Sequence, residues 1–207
     1  MSRTTRLLYV LGLLLLYLGA YHLTQTTIKS SDLDLLTEID QAIPFMPEHI
    51  WIYHTLLPAI VATMTLLVKR ERVFFNVLWA SLFSVFVLNA FYVLFPVFYP
   101  RPEVLPSTLS EIVLAFTHEI DAPNNTFPSG HVTFAWILFL GVFNTKEIIG
   151  PSGIKLLYFL WAIGVTLSTL TLKQHYVADI ISGVVLACIS FFLVKIIINK
   201  YHLYPHN

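Results

Sequence analysis

Apolar residues dominate the chain in six long runs that are separated by short polar segments. The runs are roughly Leu7–Leu23, His49–Val68, Val73–Phe95, Val132–Phe143, Ile154–Leu172 and Val177–Ile198. A helix needs about 20 mostly apolar residues to cross the hydrocarbon core of a bilayer. The pattern therefore predicts an all-α polytopic membrane protein with six transmembrane helices, built as a single domain over residues 1–207. The fourth run is the shortest, and we expect its helix to begin nearer Ser129.

The first run has some features of a secretory signal peptide, because Arg3 and Arg6 flank its start. The run is long, however, and no clear small-x-small cleavage site follows it. We therefore expect an uncleaved membrane anchor.

Polar segments on the predicted outer side carry further patterns. Apolar residues recur at helical spacing at Leu109, Ile112, Val113, Phe116 and Ile120. Thr108-x-x-Glu111 has the form of a capping box that opens a helix. This pattern favours an interfacial helix that lies on the bilayer. The acidic stretch from Asp32 to Asp40 is expected to be a solvated connector.

Charge is scarce, and this scarcity agrees with the bilayer assignment. Charged residues make up 12% of the chain, whereas a soluble domain carries about 25%. The net charge is zero and no basic tract is present, so nucleic acid is not an expected partner. The single cysteine, Cys188, excludes an internal disulfide and a cysteine-based zinc site. No obligatory protein partner is indicated either.

The basic residues are distributed unevenly between the two sides that six spans define. Nine lie with the termini: Arg3, Arg6, Lys69, Arg70, Arg72, Lys146, Lys155, Lys195 and Lys200. Three lie on the other side: Lys29, Arg101 and Lys173. Because lysine and arginine concentrate in cytoplasmic loops, we expect both termini in the cytoplasm and the second set on the extracytoplasmic or periplasmic face.

Three stretches on that outer face contain residues suited to catalysis. His175 and Asp179 are four residues apart, so they share one face of a helix. A carboxylate there can hold one imidazole nitrogen and leave the other as a nucleophile. A purely structural His–Asp pair that ties helix ends together is the alternative.

A turn that leads into the fourth run is suited to binding an anion. Ser129, Gly130 and His131 would present backbone N–H groups at a helix N-terminus, where the helix dipole also favours negative charge. A simple serine-capped helix start is the alternative. Arg101 lies between two prolines and can bind phosphate oxygens bidentately. The alternative is an arginine at the membrane interface whose aliphatic part is buried while its guanidinium reaches water. Together these groups describe a phosphate site that needs no metal and no cofactor.

These motifs resemble those of the type-2 phosphatidic acid phosphatases, the membrane branch of the superfamily that contains vanadium haloperoxidases. The family pattern is Lys-x6-Arg-Pro, Pro-Ser-Gly-His and Ser-Arg-x5-His-x3-Asp. The chain matches it at Arg101-Pro102, at Pro128-Ser129-Gly130-His131, and at Ser168 with His175 and Asp179. The resemblance spans the third to the sixth predicted helix.

The resemblance implies a lipid phosphatase with a phosphohistidine intermediate. His175 would attack phosphorus, and Asp179 would orient the His175 ring. His131 would protonate the leaving oxygen and then activate water. Arg101, Ser129 and Gly130 would hold the phosphate of a lipid substrate in the membrane.

Two family positions depart from the pattern. Leu94 stands in place of the first-motif lysine, and Thr169 stands in place of the third-motif arginine. We hypothesise that Lys173 supplies one of the missing charges.

Rival functions follow from the same residues. Lys173-Gln174-His175-Tyr176 with Asp179 is similar to the third motif of inositol phosphorylceramide and sphingomyelin synthases, which transfer a phospho-headgroup to a lipid alcohol. Transport of a phosphorylated lipid without catalysis is disfavoured, because the spans lack charges at mid-helix. An inactive family member is disfavoured by the retention of both histidines. Phosphatidic acid, phosphatidylglycerol phosphate, polyprenyl diphosphate and lipid A all stay open as substrates.

Overall fold

A computed structural model of the chain describes residues 2–28, 33–145 and 153–201. Regular secondary structure in these ranges is helical throughout. The helices are α1 (Arg3–Thr27), α2 (Glu38–Ala42), α3 (Ile50–Tyr53), α4 (Leu56–Leu67), α5 (Glu71–Leu94), α6 (Leu109–Ile120), α7 (Gly130–Phe143), α8 (Gly153–Thr171) and α9 (Val177–Tyr201), with a 3-10 turn at Pro47–His49 before α3. Lys29 and Lys146, which enter the charge count, lie outside the described residues.

Five helical segments are long and apolar enough to cross a membrane. They are α1, the continuous segment Pro47–Leu67, α5, α8 and α9. These segments correspond to five of the six predicted spans, and the protein is therefore a polytopic membrane protein that is all-helical over the described residues. The fourth predicted span is also a helix, α7, but its 14 residues extend only about 21 Å. That length is less than the hydrocarbon core of about 30 Å, so the count of six crossings stays a prediction.

The short helix α7 lies at the centre of the bundle. It packs against α4, α5, α8 and α9, and ten of its 14 residues are buried. A helix that is apolar on every side is typical of such a central position. Ser129 is the N-cap of α7 and His131 lies in its first turn. The central position of α7 therefore places both residues among the ends of the neighbouring helices.

The predicted amphipathic helix is confirmed as α6. Thr108 accepts a hydrogen bond from the Glu111 N–H, and the Glu111 carboxylate accepts one from the Thr108 N–H, which completes the capping box. Its apolar side chains Leu109, Ile112, Phe116 and Ile120 are all exposed, whereas Leu114 and Thr117 are buried against the bundle. The exposed apolar stripe fits a helix that lies on a bilayer surface.

The prediction of a solvated connector is wrong for the end of the acidic stretch. Asp40 is 2% exposed and lies in the short helix α2. Burying a carboxylate is costly unless it is hydrogen-bonded, and Asp40 is held by several donors described below. The sequence pattern showed only that Asp40 is charged. Its burial results from a contact with a loop that lies more than 130 residues further along the chain.

Gly183 is the point at which α9 touches the turn before α7. A Cβ atom added there would lie 2.9 Å from the Ser129 carbonyl oxygen and 3.2 Å from the Val132 Cβ. Backbone cannot retreat as a flexible side chain does, so we expect Gly183→Ala to destabilise the protein by about 1–3 kcal/mol. It should also reduce activity by displacing Ser129. Thermal unfolding in detergent measures the stability change.

Gly12 provides the matched control, because it is also within a helix and a Cβ there meets nothing within 4 Å. Gly12→Ala should leave the unfolding temperature unchanged or slightly raised, since alanine favours helix. Equal behaviour of the two variants would contradict the close approach at Gly183.

Candidate functional site

The loop between α8 and α9 presents His175. Lys173 lies two residues beyond the end of α8 and adopts the left-handed region, with φ 55°. Its N–H donates to the Leu170 carbonyl, and the N–H of Gln174 donates to the Thr169 carbonyl, both at 3.0 Å. This pair of bonds is the Schellman arrangement that closes a helix C-terminus. The chain reverses here, and His175 follows two residues later.

The hydrogen bonds of the His175 ring define its tautomer. Its Nδ1 lies 2.9 Å from the Thr126 carbonyl oxygen and 3.2 Å from Asp179 Oδ2. A carbonyl oxygen can only accept a hydrogen bond, and so can an ionised carboxylate. Nδ1 is therefore the ring nitrogen that carries the hydrogen. The Tyr176 N–H also donates to Asp179 Oδ2, at 2.9 Å, and Asp179 is fully buried. In the neutral ring the lone pair therefore resides on Nε2, the nitrogen that can act as a nucleophile.

Asp179 also joins the two histidine motifs through its backbone. Its carbonyl accepts a hydrogen bond from the Ser129 N–H at 3.0 Å. The sequence predicted a free N–H group at Ser129, and this prediction is wrong because the group is already paired. The Ser129 hydroxyl accepts the Val132 N–H at 3.4 Å and caps α7. Within the described chain, the N–H groups of Gly130 and His131 have no hydrogen-bond partner. Two of the three predicted donors are thus available to an anion at this helix N-terminus.

His131 faces His175 from the start of α7. The two ring centroids are 6.5 Å apart with an interplanar angle of 56°. A phosphate group fits between rings at this separation. One ring nitrogen would then lie about 3 Å from phosphorus, and a nitrogen of the other ring would lie about 2.7 Å from the leaving oxygen. The His131 ring is stacked on Tyr53, with centroids 4.0 Å apart. Tyr53 was not predicted from the sequence, because α3 brings it in from another part of the chain.

Arg101 lies near Asp121 at the end of α6. It donates through Nη2 to Asp121 Oδ2 at 3.0 Å and to the Ala122 carbonyl at 3.3 Å, and through Nη1 to the Asp121 carbonyl. Tyr21 donates to the other Asp121 oxygen at 2.7 Å. Arg101 Nε is buried, and among the described residues it has no acceptor. An unmatched buried donor of this kind suits a ligand oxygen.

Lys173 points to the connector that precedes α3. Its Nζ donates to the carbonyls of Asp40 and Ile43, both at 2.6 Å. Partial burial lowers the pKa of Lys173 from its usual value, and the nearby Asp40 charge opposes that shift. One of the three ammonium donors is left over. Its contribution to phosphate binding stays a prediction.

Asp40 is a positioning residue that sequence reasoning missed. Its Oδ1 accepts the Val177 N–H at 2.7 Å, so it caps α9 from a distant part of the chain. Its Oδ2 accepts from the Thr37 N–H at 2.9 Å and from the Thr37 hydroxyl. Nearby, the Tyr176 hydroxyl donates to the Phe98 carbonyl at 2.9 Å. The spacing Thr37-x-x-Asp40 was a visible sign of a helix start, but no signal in the sequence linked it to α9.

Gln174 and His118 form a second polar contact beside the site. Gln174 Nε2 donates to His118 Nε2 at 2.8 Å, which requires an unprotonated nitrogen on the imidazole. Burial, together with the positive charge of Arg101, lowers the pKa of His118 to about 4. The neutral ring is therefore the form expected at physiological pH, and it holds the residue that precedes His175.

An apolar cavity of about 190 Å³ adjoins His131. Its lining includes tyrosine and histidine side chains and Asp121, together with aliphatic side chains such as Leu18, Leu57 and Ile120. These aliphatic residues lie on α1, α4 and α6. This lining can take an apolar group beside His131.

The departures from the motif have structural counterparts. Leu94 is 70% exposed and contributes no charge. Thr169 donates to the Thr166 carbonyl at 2.7 Å, and Ser168 donates to the Val165 carbonyl at 2.7 Å, so both serve their own helix. Among the residues that the structure describes, no three His, Cys, Asp or Glu side chains are grouped to hold a metal ion. The expectation of a metal-free site is not tested by this observation.

Comparison with known proteins supports a family assignment. A family model described as the PAP2 superfamily matches residues 77–202, which is more than half of the 207-residue chain. The matched segment contains Arg101, Ser129, His131, His175 and Asp179. No significant match was found among curated proteins.

Removal of the Asp40 carboxylate should perturb the candidate site, although Asp40 itself makes no hydrogen bond to either histidine. Asp40→Ala leaves the Val177 and Thr37 donors unpaired, and each buried unpaired donor costs about 1–3 kcal/mol. We expect a lower unfolding temperature and lower activity, because the His175 loop loses its anchor. Thermal unfolding and turnover of one preparation measure both.

Glu38→Ala is the control for this change, because Glu38 is an exposed acid in the same short helix. It should leave both the unfolding temperature and the turnover near wild type. If Asp40→Ala behaved like Glu38→Ala, the proposed anchor would be ruled out.

Proposed function

Because the chain belongs to the PAP2 superfamily, we propose that it is an integral membrane lipid phosphate phosphatase that works through a phosphohistidine intermediate. The observation that carries this proposal is the pairing of the two histidines. His175 has its Nδ1 hydrogen held by Thr126 and Asp179, which leaves Nε2 for attack. His131 lies across a gap of 6.5 Å between ring centroids.

The reaction proceeds in two steps. In the first, His175 Nε2 forms a bond to phosphorus, the bond from phosphorus to the lipid oxygen breaks, and protonated His131 gives its proton to that oxygen. In the second, His131 takes a proton from water, the water oxygen bonds to phosphorus, and the N–P bond breaks. Asp179 stabilises the positive charge that develops on His175 in the first step.

The phosphate oxygens are held by groups from two segments. The N–H groups of Gly130 and His131 point from a helix N-terminus, and Ser129 supplies a hydroxyl. Arg101 contributes its unmatched Nε donor. The lipid chain occupies the apolar cavity beside His131, so that the leaving oxygen lies near the general acid. We further propose that α7 completes six crossings and that the site faces the extracytoplasmic side, with both termini in the cytoplasm.

A headgroup transferase is the second candidate, and the charge of the site favours it. Leu94 and Thr169 replace two family cations, and Lys173 donates to connector carbonyls. A phosphomonoester at neutral pH carries close to two negative charges, whereas a phosphodiester carries one. A site with fewer cations is better matched to the diester that a headgroup transferase uses.

Purified protein in mixed micelles with a chelator should distinguish the two functions. The substrates are phosphatidic acid, phosphatidylglycerol phosphate and a polyprenyl diphosphate, compared with a phosphodiester lipid plus a lipid alcohol. The phosphatase predicts release of inorganic phosphate, and His175→Ala should lower that rate by about 10³-fold or more. Appearance of the headgroup on the alcohol without free phosphate would support the transferase. Neither product, from protein that unfolds cooperatively, would contradict both proposals.

Lys173 requires a variant that preserves the backbone. Lys173→Gly removes the ammonium but keeps the left-handed conformation accessible. If Lys173 binds phosphate, competitive inhibition by inorganic phosphate should weaken about tenfold, beyond any change in unfolding temperature. A lower unfolding temperature with unchanged inhibition would assign Lys173 to holding the connector alone.

A further inference from the structure

Tyrosines line the cavity beside His131, and their hydroxyl groups differ in whether they are paired. Tyr17 and Tyr21 come from α1, and Tyr53 comes from α3. The Tyr21 hydroxyl donates to Asp121 Oδ1 at 2.7 Å. The hydroxyls of Tyr17 and Tyr53 make no hydrogen bond within the described ranges of the chain. Two hydroxyl donors are therefore left over in the lining of this cavity.

Both unpaired hydroxyls belong to side chains that are largely removed from solvent. Tyr17 is 8% exposed and Tyr53 is 4% exposed. The O–H group of a buried tyrosine normally finds a hydrogen-bond partner. Since both side chains line the cavity, an acceptor atom on a molecule bound there would supply the partner that the described chain does not.

Other polar groups of the lining are bonded to one another or to neighbouring residues. The two carboxylate oxygens of Asp121 accept from Tyr21 and from Arg101. His54 Nε2 lies 2.9 Å from the Thr117 hydroxyl oxygen, and that hydroxyl donates to a backbone carbonyl of its own helix. These contacts hold the lining in place and set Tyr17 and Tyr53 apart from it.

The two tyrosines flank the start of α7. The Tyr53 ring is stacked on the His131 ring, with centroids 4.0 Å apart and an interplanar angle of 21°. A Cβ atom added at Gly130 would lie 3.5 Å from the Tyr17 hydroxyl oxygen. The Tyr17 ring is also in edge contact with Phe134, with centroids 4.6 Å apart. Packing therefore fixes both rings close to the proposed general acid.

The position of the cavity indicates which part of a substrate these donors would meet. The lining includes His131 but neither His175 nor Arg101, so the cavity adjoins the phosphate site on the His131 side. In the proposed reaction His131 protonates the leaving oxygen, and the atoms bonded to that oxygen belong to the lipid alcohol. The first atoms of the alcohol would therefore lie beside Tyr17 and Tyr53.

We propose that Tyr17 and Tyr53 are specificity-determining residues that donate hydrogen bonds to oxygen atoms of the lipid alcohol, close to the leaving oxygen. The preferred substrates then carry an ester, amide or hydroxyl oxygen beside the phosphate. A phosphate on a plain hydrocarbon chain would leave both buried hydroxyls unpaired and be disfavoured. This role rests on the proposed function, because that function places the leaving oxygen at His131.

The test compares lysophosphatidic acid with hexadecyl phosphate in detergent micelles. Both have one long chain, but only lysophosphatidic acid carries a hydroxyl and an ester beside its phosphate. Wild-type protein should show a kcat/KM about 20-fold higher for lysophosphatidic acid. Tyr17→Phe and Tyr53→Phe should each lower this ratio about fivefold, because one hydrogen bond to an uncharged acceptor contributes about that factor. Phenylalanine at position 53 keeps the ring that stacks on His131.

Tyr9→Phe is the matched control, because Tyr9 also lies on α1 but is exposed and outside the cavity lining. It should leave the ratio within about twofold of wild type. A folding defect would lower turnover of both substrates alike, so the ratio separates recognition from folding. Equal kcat/KM values for the two substrates in wild type, or an unchanged ratio in Tyr17→Phe/Tyr53→Phe, would overturn the assignment.

Binding measurements make the test independent of phosphate release. Each lipid is added in increasing proportion to the micelles, and the rise in unfolding temperature reports its binding. Lysophosphatidic acid should stabilise wild type more than hexadecyl phosphate does, and Tyr17→Phe/Tyr53→Phe should remove most of this difference. Selective binding without phosphate release would contradict the phosphatase but support the two hydroxyls. Phosphate release without selectivity would support the phosphatase and overturn the hydroxyls, and the absence of both would overturn both.

Discussion

One buried carboxylic acid residue, Asp179, holds the two halves of the site together. Its side chain accepts from His175 Nδ1 and from the Tyr176 N–H, and its backbone carbonyl accepts from the Ser129 N–H. The first bond sets which nitrogen of the imidazole is basic. The last bond sets where the N-terminus of α7 lies. The histidine proposed to attack and the helix that presents its proposed partner are therefore positioned by a single residue at the start of α9.

A second layer of hydrogen bonds holds this arrangement from outside. Asp40 caps α9 through the Val177 N–H, and Lys173 binds two connector carbonyls. A buried carboxylate and a partly buried ammonium are costly to leave unpaired, so the connector and the His175 loop stabilise each other. This explains why Asp40, in the connector between two membrane helices, is buried near the site. It also means that Lys173 has a structural task whatever it adds to phosphate binding.

The sequence predicted those features that depend on local spacing. The i, i+4 relation of His175 and Asp179, the capping box at Thr108, and the helices α1, α5, α8 and α9 all follow from periodicity and composition. Partners brought together by tertiary packing were not predictable. Thr126 offers only its backbone to His175, Tyr53 comes from another helix, and Asp40 acts over more than 130 residues. The bond that occupies the Ser129 N–H was likewise invisible, because a helix start in isolation has free donors.

The proposed nucleophile is a single atom, His175 Nε2, and its role can be tested directly. Protein mixed with a substrate that it turns over is quenched under alkaline conditions, where phosphohistidine survives, and the modified residue and ring nitrogen are identified by peptide mass spectrometry and ³¹P NMR. We expect a phosphoryl or phospho-headgroup adduct on His175 at Nε2, because Thr126 and Asp179 hold the Nδ1 hydrogen. An adduct on Nδ1, on another residue, or none at all during turnover would contradict it.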